Sequence, residues 1–291
     1  MKYLYFTGCV IPQRENGFEL SARNVFEKLG IELVKFEGAS CCGYFLDSVD
    51  FIASSALAAR NLSLAEEKNL DVLTLCPTCS GHLKRTKEKI LKSEDLRKKI
   101  NIALQSINRI YRGTSEPKHF TKVLIEDVGI EKIKESVTKP LNGLRIAPHY
   151  GCHLLRPSDE LSFDDPEDPK LLDSLIEATG AKCIDYTEKR TCCGAPLIGI
   201  DEDLALKILD VKLRSISDVE VDAIVTVCPF CHLQFDLNQS RIELPEIGTP
   251  RIPVLHYTQL LGLAQGLTED ELALYENRTP VDSVLQKINK K

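Results

Sequence analysis

Five cysteines recur twice along the chain in the same order, and this repeat constrains the fold more than any other feature. The first copy reads Gly8-Cys9, Cys41-Cys42-Gly43 and Cys76-Pro77-Thr78-Cys79. The second reads Gly151-Cys152, Cys192-Cys193-Gly194 and Cys228-Pro229-Phe230-Cys231. Neighbouring groups lie roughly 30 to 40 residues apart in both copies, and ten of the 11 cysteines belong to them. Glycines and prolines at matching offsets argue for two similar units, each bringing three distant groups to one place.

The segments between the groups say how. Tyr3-Leu4-Tyr5-Phe6 reads as a strand before Cys9. Phe18 to Leu29 carries one apolar stripe and reads as a helix that Gly30 stops. Ile31 to Phe36 is a strand before Cys41-Cys42, Phe51 to Lys68 a helix, and Asp71 to Leu75 a strand running into Cys76. The second half repeats this with strands at Leu144–Ala147, Ala181–Tyr186 and Ala223–Val227, and helices at Lys170–Thr179 and Leu204–Ile216. Strands alternating with helices form a parallel sheet through right-handed crossovers. The strands' C-terminal ends then share one edge, where such sheets bind ligands.

The expected fold class is α/β, with two pseudo-symmetric Rossmann-like domains, each a mostly parallel sheet flanked by helices. At 291 residues the chain has room for both. The turn-rich stretch Thr138–Gly143 puts the boundary near residue 139. Domain 1–139 carries a helical insertion at about 80–137, where Leu96, Ile100, Ala103, Ile107 and Ile110 form a stripe expected to pack between the halves. Domain 140–291 carries a C-terminal helical segment with candidate helices at Tyr257–Ala264 and Thr268–Tyr275.

A net charge of −6 offers no nucleic-acid footprint and leaves any anionic ligand to local Lys or Arg clusters. No apolar run approaches the roughly 18 residues of a membrane span. The apolar region of Met1–Phe6 is too short for a signal peptide. The expected location is therefore cytoplasmic, a reducing compartment where patterned cysteines hold metal or do redox chemistry rather than form disulfides.

Iron–sulfur clusters are usually held by four thiolates, and each copy offers five. Pro77 and Pro229 suggest that helices start inside the Cys-x-x-Cys groups, where a helix N-terminus favours negative charge. Adjacent cysteines would point opposite ways in a strand, so Cys41-Cys42 and Cys192-Cys193 belong on loops freed by Gly43 and Gly194. A pair of zinc sites is the alternative, although zinc usually takes two Cys-x-x-Cys-like pairs and this pattern has one per copy.

The repeat resembles the CCG cysteine-rich domain, present twice, as in the B subunit of heterodisulfide reductase. The resemblance implies two noncubane [4Fe-4S] clusters. Cys9, Cys41, Cys42, Cys76 and Cys79 would hold one, and Cys152, Cys192, Cys193, Cys228 and Cys231 the other. It implies reduction of the disulfide CoM-S-S-CoB to two thiols in methanogenesis. These 291 residues contain no ferredoxin motif, so electrons would arrive from other subunits. The resemblance implies a ferredoxin-like C subunit and a flavin-containing A subunit, with electron bifurcation and a hydrogenase or formate dehydrogenase as donor. Relatives sharing the domain serve 2-hydroxy-acid, glycerol-3-phosphate and succinate oxidoreductases. That role, and a non-catalytic zinc or cluster scaffold, are the competing expectations.

The two copies differ at Val10 against His153, Thr78 against Phe230 and Ala39 against Arg190. A mixed disulfide has unlike ends, so these positions are candidates for telling them apart. His153 is the candidate proton donor; His82 and His232 follow the Cys-x-x-Cys groups at unequal offsets. Lys84, Arg85, Arg156, Lys189 and Arg190 are candidates for binding the substrate's anionic groups. Cys183 lies in a strand pattern and is expected to pack as a small hydrophobe.

Overall fold

The computed structural model describes residues 1–242 and 251–290. Among them, the first half contains strands β1 Lys2–Phe6, β2 Glu32–Lys35, β3 Val72–Thr74 and β4 Pro117–His119. The second contains β5 Arg145–His149, β6 Lys182–Cys183, β7 Ala223–Thr226 and β8 Val254–His256. The sheets run β2-β1-β3-β4 and β6-β5-β7-β8, and every pairing is parallel. The central strands β3 and β7 are buried throughout, as expected when helices cover both faces of a parallel sheet.

The helices that matter to the site repeat as well. In the first half they are α1 Asn16–Lys28, α2 Phe51–Glu67, α3 Pro77–Lys92 and α4 Glu94–Gln105. In the second they are α5 Leu171–Ala178, α6 Glu202–Ser217, α7 Pro229–Asn238 and α8 Tyr257–Ala264. Asp50 caps α2 by accepting from Ala53 N at 2.9 Å, and Asp201 caps α6 by accepting from Leu204 N at 3.0 Å. Each such cap contributes about 1 kcal/mol, and each starts its helix just beyond a Cys-Cys-Gly loop.

The halves are joined by exchange. After β4 the chain continues through helical residues 120–128 and the helix Ile130–Glu135, which packs on α5 of the second half. After β8, α8 packs on α1 of the first half. One core therefore runs through both, including Val25, Phe26, Val123, Ile133, Leu172, Leu175, Leu260 and Leu261. Ser21 Oγ lies 2.6 Å from Thr258 Oγ1, and the linker amides of Thr138 and Lys139 donate to the Ala264 carbonyl at 3.0 and 2.8 Å. Every residue of α8 is buried. Leu260 and Leu261 alone remove enough apolar surface to contribute about 2 kcal/mol each.

Three expectations change. The stretch 80–137 is not purely helical, because it supplies β4, the fourth strand of its sheet. Its apolar stripe does not lie between the halves: Ile100 enters the first half's own core with Leu96 packed against it, Ala103 is exposed while Leu104 is buried instead, and Ile107 and Ile110 fall beyond the end of α4 and are exposed. Thr268–Tyr275 is no α-helix; it forms turns and a short 3-10 segment, Leu274–Glu276, and Ala273 at φ 48° interrupts the helical path.

Candidate metal centre

Each cysteine group follows the C-terminal end of a strand. Cys76 and Cys228 are extended residues directly preceding α3 and α7, with φ/ψ of −116°/118° and −135°/127°. Pro77 and Pro229 open those helices, and Cys79 and Cys231 sit in their first turns. The free amides of the first turn face the sulfurs and favour negative charge there.

The Cys-Cys-Gly loops are set by glycine geometry. Gly43 has φ 98°, and a Cβ there would stand 2.5 Å from the Ser54 carbonyl oxygen. Gly194 has φ 85° and the same approach, 2.6 Å, to the Ala205 carbonyl. The amides of these glycines donate to Cys41 Sγ at 3.4 Å and Cys192 Sγ at 3.3 Å. A side chain from the neighbouring helix ties down each loop. Asn61 of α2 accepts from Ser40 N at 2.9 Å and donates to the Cys41 carbonyl at 3.0 Å. Its counterpart on α6 is Lys212, which donates to the carbonyls of Glu188 at 2.5 Å and Thr191 at 2.9 Å. Burial pushes the Lys212 ammonium down to about 8, against the pull of nearby thiols.

The sulfurs form two contiguous sets. Cys9, Cys41, Cys42, Cys79 and Cys76 lie near enough to perturb one another in series, and Cys152, Cys192, Cys193, Cys231 and Cys228 do the same. Cys193 Sγ lies 3.4 Å from Cys231 Sγ. The sets adjoin at Cys76 and Cys228, each of which shifts the other's pKa, Cys76 downward and Cys228 upward. Crowding drives the protons apart. Hydrogen bonds from Cys41 and Cys79 pull Cys42 to about 4, and those from Cys152 and Cys193 pull Cys192 to about 2. Cys228 and Cys79 hold Cys76 well below the ordinary thiol value, while hydrogen bonding and burial push Cys41, Cys79 and Cys152 up.

The donor set fits a thiolate-held iron–sulfur cluster in each half. All ten thiols are free, most are wholly or partly buried, and each set exceeds the four ligands of a zinc site. Gly8 leaves no room for a side chain beside Cys79, since a Cβ there would stand 3.1 Å from its sulfur. His149, at the end of β5, is buried beside Cys193 and Cys231 with neither ring nitrogen partnered. Burial pulls its pKa well below the ordinary value.

A narrow cleft of about 40 Å³ lies between the halves beside the second set. Tyr44, Phe45 and Thr78 come from the first half; Cys152, His153, Cys193, Cys228 and Phe230 come from the second. Tyr44 Oη stands 3.3 Å from His153 Nε2, and the rings of Phe45 and Phe230 lie 6.0 Å apart. Burial lowers the pKa of His153.

The other sequence candidates sit elsewhere. His82 Nε2 lies 3.1 Å from Ser54 Oγ inside the first half. His232 pairs with Glu15 at 2.9 Å across the halves; burial opposes its charge, but Glu15 raises its pKa overall. Cys183 is partly buried against the shared core, and burial pushes its thiol up. Lys84 donates to the Leu161 carbonyl at 2.7 Å and lines a second pocket with Lys118, Lys122 and His153. Arg85 approaches Glu160 at 3.7 Å, Arg156 pairs with Glu167 at 2.9 Å, and Lys189 is buried against Asp173 at 2.6 Å. Arg190 donates to the Glu167 carbonyl. Sequence patterning alone does not single out His149, Lys212, Asn61 or Tyr44. The signal for three of them is the register of the repeat, which sets His149 against Phe6 and Lys212 against Asn61.

Among the described residues no helix is long and apolar enough to cross a membrane. The sequence pattern of the CCG cysteine-rich domain matches residues 3–84 and 146–236. The B subunit of the ferredoxin:CoB-CoM heterodisulfide reductase of Methanosarcina mazei is 42% identical over 99% of this chain and 97% of its own length. The 8-methylmenaquinol:fumarate reductase membrane anchor subunit of Wolinella succinogenes is 36% identical over 95% of this chain and 96% of its own. A hypothetical protein of Helicobacter pylori shares the fold at a TM-score of 0.74 and 14% identity, over 96% of this chain and 52% of that one. With both halves matched and near full-length relatives of this kind, the chain belongs to the CCG cysteine-rich domain family, carries that domain twice, and is akin to the heterodisulfide reductase B subunits.

Proposed function

We propose that this chain is the disulfide-reducing subunit of a CoB-CoM heterodisulfide reductase. One observation supports the reading: Cys76 of the first set and Cys228 of the second are near enough to shift each other's pKa, so the two sulfur sets adjoin and their electrons could be paired on one disulfide. Cys9, Cys41, Cys42, Cys76 and Cys79 would hold one noncubane [4Fe-4S] cluster; Cys152, Cys192, Cys193, Cys228 and Cys231 would hold the other. When bound, each supplies one of the two electrons that the disulfide requires.

The chain's own residues do the rest. Tyr44, Phe45 and Phe230 wall the cleft and keep water from the sulfur–sulfur bond. His153, oriented by Tyr44, delivers a proton to one departing thiolate. Lys84 offers an anchor for an anionic arm, in a pocket that His153 also lines and where Lys118 and Lys122 are already paired with Asp127 and Glu126. Lys189 is spoken for by Asp173, and Arg156 and Arg190 by Glu167. Two electrons and two protons convert CoM-S-S-CoB to two thiols, with electrons delivered by ferredoxin-like and flavin-containing partner subunits.

The test is direct. The cluster-loaded chain, reduced by a strong artificial donor without oxygen, should release both thiols from CoM-S-S-CoB. A loaded chain that yields no thiol overturns the reading. The likeness to the Wolinella fumarate reductase subunit favours a second reading, in which the same centres relay electrons between a quinol and a partner. Under it, a quinol analogue reduces the centres and CoM-S-S-CoB leaves them unchanged.

A further inference from the structure

β1 and β5 hold the same place in their sheets. Phe6 pairs with Thr74 and His149 with Thr226, so the two residues are equivalent by register. Phe6 is an apolar wall on the first sulfur set's side: it shares one buried cluster with Cys42, Cys76 and Cys79 and meets Phe36 edge-on at 5.7 Å. His149 replaces that wall at the second set. It is 1% exposed, edge-on to Phe235 at 4.9 Å, and neither ring nitrogen has a protein partner. A ring nitrogen and the sulfurs of Cys193 and Cys231 all lie within 4.8 Å of one another.

A buried polar group left without a partner costs about 1–3 kcal/mol, and the first half shows that this position accepts phenylalanine. The available partner is sulfur. An imidazole carries at least one N–H in either tautomer. Five thiols already exceed the usual four ligands, so a further direct ligand is superfluous.

We propose that His149 donates an N–H hydrogen bond to sulfur of the second centre and makes that centre the more readily reduced of the two. The inference rests on the cluster reading above. Hydrogen bonds to cluster sulfurs offset negative charge, favour the reduced state and so set potentials. Phe6 gives the first centre no such donor. An electron shared between the centres settles on the second, the one beside the cleft and His153.

His149→Phe reproduces the first half's wall, and His149→Gln keeps an N–H donor. Redox titration followed by electron paramagnetic resonance, on the anaerobically purified and loaded chain, reads both centres. The wild type should show two separated midpoints. His149→Phe should move the higher one down toward the other, and His149→Gln should keep most of the separation. Iron–sulfur stretching bands should shift on transfer to D2O in the wild type and lose that shift in His149→Phe. Unmoved midpoints in a fully loaded His149→Phe overturn this inference alone. Should His149→Phe lose the second centre, His149→Gln decides: separated midpoints support the inference and merged ones overturn it. A nitrogen coupling strong enough for direct ligation also overturns it. A wild-type chain free of iron overturns the cluster reading and this inference with it.

Discussion

Tyr44, from the loop after Cys42, presents its hydroxyl to Nε2 of His153, the residue after Cys152, at 3.3 Å. The contact spans the two halves and has no counterpart across the pseudo-two-fold axis, where Val10 and Ala195 hold the equivalent positions. The cleft is thus unsymmetrical although the scaffold is repeated, which suits a substrate whose two ends differ.

The pair should therefore matter to turnover more than to assembly. His153→Ala should retain its iron and slow thiol release by about 10²-fold, the lower range for a general acid. Tyr44→Phe, which frees the ring without removing it, should slow release less. Steady-state rates with iron determined in parallel check this. Wild-type turnover in His153→Ala would remove the residue from the reaction.

The two loops should fail independently. An alanine at Gly43 faces left-handed backbone, costing about 1–2 kcal/mol, and a Cβ 2.5 Å from the Ser54 carbonyl oxygen. Gly43→Ala should lose the first centre, and Gly194→Ala the second, each leaving about half the iron. Iron per chain, with spectra of the surviving centre, gives the answer. Loss of both centres in either variant would show that the halves do not load separately.

Asp127 ties the exchanged segment after β4 to its own sheet. It accepts from Tyr3 Oη at 2.7 Å and Lys118 Nζ at 2.8 Å. Burial would raise its pKa, but Lys118 and Tyr3 outweigh that and hold the carboxyl below the ordinary 3.8. A depressed carboxyl stabilises the fold above the unfolded pKa and loses that contribution as pH falls through the folded one. Asp127→Asn should lower the melting temperature by about 2–4 °C at pH 6, the equivalent of about 1 kcal/mol. The gap should close as pH falls below about 4. Thermal scans of both chains between pH 3 and 6 test it, and a gap independent of pH would contradict it.

The strand-then-cysteine grammar was legible because Gly8, Gly43, Pro77 and their repeats punctuate it locally. The fourth strands were not. Pro117–His119 and Val254–His256 are three residues each, too short for any alternation to show. Yet each runs into a matching His-aromatic-Thr, His119-Phe120-Thr121 and His256-Tyr257-Thr258. Both histidines are buried and turn Nδ1 to the following threonine, at 2.6 and 2.9 Å. His119 also reaches the Val227 carbonyl of the other half at 3.2 Å. The meeting of Cys76 with Cys228 lay beyond sequence patterning for the same reason. It depends on α8 crossing to α1 and on the segment after β4 crossing to α5, a tertiary exchange that no local period encodes.

Anaerobic electron paramagnetic resonance of the reduced chain, with and without CoM-S-S-CoB and with iron counted on the same sample, tests the central claim most directly. Two five-thiolate sets call for about eight irons per chain, with signals that change when the disulfide is added. An iron-free, zinc-replete chain, or a fully loaded one whose signals ignore the disulfide, would contradict it.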